Sequence, residues 1–186
     1  MATWRKVTDL PLFCFDVEAR PGPWGGGDFT FKSMLSIAGG PDEHNIDYLG
    51  PGFKAKALER WVRPLRDPCL VITHNGPRYD LPLLNGTLIK MGLEPLPRLL
   101  VSDTYEGLPK RGLAFSASLG NMAQRFKLPQ QKGHMSEYDW ELVYAGNREA
   151  LIRLRTYNIG DVHTTLKLRR RLLELGLLSP PQRWSS

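Results

Sequence analysis

Two carboxylates separated by one residue close the apolar run Leu12-Phe13-Cys14-Phe15-Asp16-Val17-Glu18. Alternate residues of a strand point to the same side of a sheet, so an extended run puts Asp16 and Glu18 on one face. Paired acids at the end of a buried strand repel each other and are poorly solvated, which favours a cation between them, a hard divalent ion first. The competing reading is a solvent-facing strand end whose acids pair with Arg20 or another base. Asp80 is a further acid, at the start of a helical pattern directly after a short apolar run, where the helix dipole alone would also favour it. Tyr157 and Asp161 stand four apart inside a long helical pattern and so share a face. With Ile159 and Val162 beside them, a buried phenol and acid compete with an outward-facing pair.

The elements that must position these groups alternate along the chain. After the first strand, 20–28 is rich in Gly and Pro and reads as a loop; its glycines are followed by no helix and no Lys-Ser/Thr, so they make no phosphate cradle. Phe29 to Ala38 reads as a strand, Gly39 to Asp42 as a turn, and His44 to Leu49 as an antiparallel return. Phe53 to Leu65 has helical spacing that Pro64 ends, and Cys69 to Thr73 is a buried strand. His74-Asn75-Gly76-Pro77-Arg78 turns the chain into a helix over Tyr79 to Met91, and Leu99 to Val101 is another short strand closed by Ser102-Asp103-Thr104. A helix over Ser118 to Phe126, capped by Ser116 or Ser118, is followed by helices over Glu137 to Ala145 and Asn147 to Leu175. Pro180 and Pro181 stop the last one, so residues 1–180 read as one domain and 181–186 as a frayed tail.

At 186 residues the chain suits one domain, and 41% hydrophobic with 24% charged residues is ordinary for a soluble globular protein. A net charge of +6 favours a polyanionic partner without specifying it. Lys110, Arg111, Arg125, Lys127 and Lys132 form a basic cluster that faces either phosphate or solvent. Cys14 and Cys69 lie in apolar runs without metal-ligand spacing and read as reduced core thiols, as in a cytoplasmic protein. No segment is apolar enough to span a bilayer, and the first residues lack the apolar core of a secretory leader, so no membrane partner is expected.

Taken in order, D-x-E at 16–18, H-N-G-P-R-Y-D at 74–80 and Y-N-I-G-D at 157–161 resemble the three motifs of the DEDD 3′-to-5′ exonuclease superfamily. That superfamily includes polymerase proofreading domains and several ribonucleases. Its third motif carries either a Tyr four residues before the last Asp or a His five before it; here these positions are Tyr157 and Thr156, the tyrosine form. The resemblance runs from Phe13 to about Leu172. Ser118 to Leu128, Lys132-Gly133-His134-Met135 and Tyr144-Ala145-Gly146 are further similar to exonucleases related to the proofreading domains of family-B polymerases. One departure is Ala19, where the family commonly has Thr, which bears on substrate grip more than on metal binding.

The resemblance implies a ribonuclease H-like α/β fold: a mixed central sheet whose first three strands are antiparallel and whose later strands are parallel, flanked by helices. It also implies two Mg²⁺ or Mn²⁺ ions about 3.5 to 4 Å apart, held by Asp16, Glu18, Asp80 and Asp161. Tyr157 would orient the attacking water; with a phenol pKa near 10 it is no general base at neutral pH. Oxygen-only ligands speak against zinc, and His74, His134 and His163 are scattered without ligand spacing. Asn75 reads as a substrate contact or, equally, as a turn residue before Gly76. Lys110, Arg111 and Lys132 would follow substrate phosphates, with Phe115, Tyr105 and Trp24 as candidates for base stacking. The expected substrate is the 3′ end of single-stranded DNA, slightly favoured, or RNA, with a polymerase or other replication protein as a partner. Two alternatives keep the fold: a weakly catalytic nucleic-acid-binding or polymerase-associated module, and a structure-specific endonuclease.

Overall fold

The computed structural model describes residues 9–20, 33–106, 108, 117–129 and 134–185, with Arg20 and Ser33 described by their backbone alone. The loop at 21–28 and the predicted site residues Lys110, Arg111, Phe115 and Lys132 lie outside the described residues, as does Trp24.

Six strands form one sheet in the order β3-β2-β1-β4-β5-β6. They are β1 (Leu12–Arg20), β2 (Ser33–Gly40), β3 (Asp47–Leu49), β4 (Leu70–Thr73), β5 (Leu99–Asp103) and β6 (Gln182–Trp184). β1, β2 and β3 pair antiparallel, while β1, β4 and β5 run parallel, as expected. The parallel strands are joined by α1 (Ala55–Val62) with a 3-10 turn (Arg63–Leu65), and by α2 (Asp80–Lys90). Short helices α3 (Leu119–Arg125) and α4 (Glu137–Tyr144) precede the 27-residue α5 (Arg148–Glu174).

Strand alternation decides which layer each helix occupies. Phe13, Phe15 and Val17 pack with Leu58, Trp61, Leu84 and Leu88, so α1 and α2 cover one face of the sheet. Cys14, the alternate residue, packs with Ala38, Ile72 and Val162, so α5 covers the other. Asp16 and Glu18 share the parity of Cys14 and therefore face α5, the element that carries Asp161. Both cysteines are buried free thiols.

Two elements differ from expectation. The return strand is only Asp47–Leu49, because Asp42 accepts bonds from the backbone N–H groups of His44 and Asn45 and holds that stretch as a turn. Ser118, one of the two expected caps, does cap α3, accepting from Asn121 N–H. The expected frayed tail is instead β6, which pairs antiparallel with β5 while Trp184 packs against the main core. Three residues after two prolines are too few to show strand periodicity, and the pairing edge of β5 imposes it. Among the described residues no helix is long and apolar enough to cross a membrane.

Candidate active site

The second half of β1 and the middle of α5 converge at one end of the sheet. Asp16, Glu18 and Asp161 each offer a carboxylate oxygen, and these oxygens lie within 4.8 Å of one another. The strand register shifts immediately after Glu18, so the antiparallel ladder is interrupted where the acids project. Asp161 is only 5% exposed. Three carboxylates this close, with no histidine or cysteine among them, form a donor set suited to a hard divalent cation such as Mg²⁺ or Mn²⁺.

Asp80 stands beside this set rather than within it. Its Oδ1 accepts the Val17 N–H at 2.9 Å, between the two β1 acids, and it is 4% exposed. Burial pushes its carboxyl up to about 7, and the charges of Asp103 and Asp161 add to the rise against the donated Val17 N–H. A buried acid crowded by other acids is what a bound cation would relieve.

The H-N-G-P-R-Y-D segment forms the neighbouring wall. Asn75 adopts a left-handed backbone (φ 65°) and opens a 3-10 turn over Gly76–Arg78. A Cβ at Gly76 would stand 2.4 Å from the Thr73 side chain, so only glycine fits there. Asp103, at the end of β5, ties the wall together: its Oδ2 accepts from Thr73 Oγ1 at 2.7 Å and Gly76 N–H at 2.9 Å, and its Oδ1 accepts from Tyr105 N–H. His74 is held through Nδ1 to Thr104 Oγ1 and through Nε2 to the Ala117 carbonyl, both at 2.8 Å. Its ring meets Tyr105 edge-on at 5.7 Å. Asn75, His74, Tyr79, Asp80 and Tyr105 line, with Asp16 and Glu18, a cleft of about 250 Å³. Burial, with Glu18, Asp80 and Asp16 nearby, pushes the Tyr79 phenol up to about 12, so it stays protonated at any physiological pH.

Tyr157 precedes Asp161 by one turn of α5, and its half-buried ring packs edge-on against Trp140 of α4 at 6.2 Å. The structure thus brings Asp16, Glu18 and Asp161 together, sets Asp80 and Asn75 at the same cleft, and places Tyr157 on the α4–α5 side.

One residue that sequence reasoning missed governs Asp16. Asn158 is fully buried; its Nδ2 donates to Asp16 Oδ2 at 2.7 Å and to the Asp16 carbonyl at 3.2 Å. Its Oδ1 accepts from Ser36 Oγ at 3.2 Å, which fixes which way the amide faces. An asparagine set inside the apolar pattern of the last helix, three residues before an acid, was the available signal. Asn158→Ala would strand the Asp16 oxygen and the Ser36 hydroxyl, costing about 1–3 kcal/mol of stability. Thermal denaturation should show this loss together with weaker Mn²⁺ binding by calorimetry; a variant unchanged in both would mean that the amide only fills space.

Residues 13–173 match the family model of the RNase_H superfamily. The chain belongs to the RNase_H superfamily. This is a nuclease-type hydrolase superfamily whose members use divalent metals, and the fold described above is its mixed sheet flanked by helices. Over 90 residues, 47% of the chain, it is 30% identical to the PolC-type DNA polymerase III of Mycoplasma genitalium, and it spans 6% of that protein's length. Among solved structures, the family B DNA polymerase of Pyrobaculum calidifontis superposes with a TM-score of 0.70 at 17% identity, over 88% of this chain and 24% of the polymerase. Brucella melitensis NrnC bound to pGG superposes with a TM-score of 0.57 at 17% identity, over 92% of this chain and 78% of NrnC. At the level of family and fold, the likeness to DEDD-type exonucleases is borne out.

Proposed function

We propose that this RNase_H-superfamily protein is a metal-dependent 3′-to-5′ exonuclease acting on single-stranded nucleic acid. The observation that carries the reading is the meeting of Asp16 and Glu18 of β1 with Asp161 of α5, oxygens within 4.8 Å, on a cleft that also takes Asp80. Asp16, Glu18 and Asp161 would hold a divalent cation, and Asp80 would share a second. Such ions, when bound, acidify water and offset charge developing on the phosphoryl oxygens.

The chain's own residues do the rest. Asn158 holds one Asp16 oxygen and the Asp16 carbonyl, which fixes the carboxylate beside Glu18 and Asp161. Asn75 and the His74–Tyr105 pair offer a polar and an aromatic contact for the terminal nucleotide along the cleft. Water attacks the terminal phosphorus, the bond to the 3′ oxygen of the preceding nucleotide breaks, and a nucleoside 5′-monophosphate leaves. Tyr157 orients the water as a neutral phenol. Tyr157→Phe is therefore expected to slow hydrolysis by about 10- to 100-fold, since it loses orientation but no charge, with Mn²⁺ affinity unchanged in calorimetry; complete inactivity would give the phenol a larger role.

Similarity to segments of two DNA polymerases supports DNA as the first substrate and a polymerase as a partner to test; pGG, the ligand named for NrnC, is the shortest. The deciding experiment follows a 5′-labelled single strand, as matched DNA and RNA, with Mg²⁺ or Mn²⁺ and with chelator. A ladder shortening from the 3′ end, abolished by chelator, is the expected result. Cleavage of a strand blocked by a 3′-phosphate would point to an endonuclease, and binding without cleavage to a nucleic-acid-binding module.

A further inference from the structure

We propose that the groove between α1 and the turn after α2 is a second nucleic-acid surface, which grips the phosphate backbone of a strand away from the carboxylate cleft. This rests on the reading that the substrate is nucleic acid. The groove encloses about 580 Å³ and is lined by Lys56, Glu59, Arg60, Arg63 and Arg66 from α1 and the turn after it, and by Leu93 and Glu94 from the turn after α2. α1 buries Leu58, Trp61 and Val62 in the core, which leaves Lys56, Arg60 and Arg63, spaced by four and three residues, on one exposed stripe.

Three of the four cations in this groove are unspent. Arg66 is already engaged, donating to the carbonyls of Glu94 at 2.8 Å and Pro95 at 3.1 Å, which stiffens the far wall. Lys56, Arg60 and Arg63 make no ion pair with any described residue, although Glu59 stands four residues before Arg63, where a helical pair ordinarily forms. Two guanidinium forks and an ammonium in a row suit successive phosphates. Arg60 also borders an adjoining recess of about 300 Å³ whose lining includes Phe13, Asp47, Leu49 and Trp61. Two of the three unpaired cations are arginines, whose forks match phosphate, and the proposed substrate is nucleic acid, which favours a strand over an acidic peptide.

The groove lies away from the chemistry. α2 begins at the cleft with Asp80 and ends beside the groove, and its eleven residues span about 16 Å. A dinucleotide in the cleft therefore does not use the groove, whereas a longer strand can.

The test measures fluorescence anisotropy of a labelled, 3′-phosphate-blocked single strand of about fifteen nucleotides with the full chain in chelator, across a salt series. Because each phosphate contact contributes about 0.7 to the slope of log K against log salt, Lys56→Ala/Arg60→Ala/Arg63→Ala should lower that slope by about 2. Binding should weaken at least about tenfold near 0.1 M salt. Arg60→Lys/Arg63→Lys, which keeps the charge, should retain the slope, and dinucleotide hydrolysis should be unchanged. Lys167→Ala/Arg170→Ala/Arg171→Ala on α5 removes equal charge elsewhere and serves as control. An unchanged slope, an equal drop in the control, or the same dependence for polyglutamate but not for the strand would overturn the proposal. If the wild-type chain hydrolyses nothing, the exonuclease reading fails while the salt slopes still decide the groove.

Discussion

Asp161→Asn should yield a folded protein whose metal-dependent hydrolysis falls by about a thousandfold or more, a loss of roughly 4 kcal/mol in the barrier. The asparagine keeps the shape of a side chain that is 5% exposed on α5 and within reach of Asp16 and Glu18. It removes one negative charge from three that crowd a single point. Two outcomes follow with opposite signs. Calorimetric Mn²⁺ affinity should fall, because a ligand charge is gone, while the melting temperature of the chelated protein should hold or rise, because repulsion is relieved. Wild-type turnover in this variant would remove the metal centre from the argument, and Asp16→Ala should agree with it.

Asp80→Asn is expected to change how stability depends on pH. The Asp80 carboxyl is raised in the folded chain to about 7, against about 3.9 when unfolded. Between these values the folded state binds the extra proton, so stability falls as pH rises from about 4 through 7 and levels off above. Asparagine carries no proton to lose. The chelated variant should therefore match wild type near pH 4 and exceed it at pH 8 by about 2–4 kcal/mol, or roughly 5–10 °C in melting temperature. Saturating Mg²⁺ should narrow or reverse the gap, since a cation stabilises the charged wild-type site. A pH-independent difference between the two chains would show that the Asp80 carboxyl is not raised in the folded state.

How much of this was legible in the sequence depended on whether a residue announced itself by pattern. Asp16 and Glu18 did so because strand parity is strict, and Tyr157 and Asp161 because a four-residue spacing in a helix is equally strict. Asp80 was placed at the correct end of its helix, but its bond to the Val17 N–H could not be foreseen, because it joins residues 63 positions apart. Asp103 was read as the close of a short strand; its four acceptor bonds come from the last residue of β4, the turn after it and its own successors, which only the parallel β4–β5 pairing brings together. Asn158 was hidden between two more conspicuous neighbours, and its partners Ser36 and Asp16 lie on strands more than a hundred residues earlier. β6 was missed because its pairing is imposed by the edge of β5 rather than by any periodicity of its own.

The parts of the acidic cup come from opposite ends of the chain: β1 supplies Asp16 and Glu18, and α5, which supplies Asp161, also supplies the Asn158 amide that steadies Asp16. During synthesis the first strands and both helices on the far face leave the ribosome long before α5. A partly made chain has two of the three carboxylates and lacks both Asp161 and the Asn158 amide that holds Asp16. The proposed metal centre is therefore complete only when the last long helix docks.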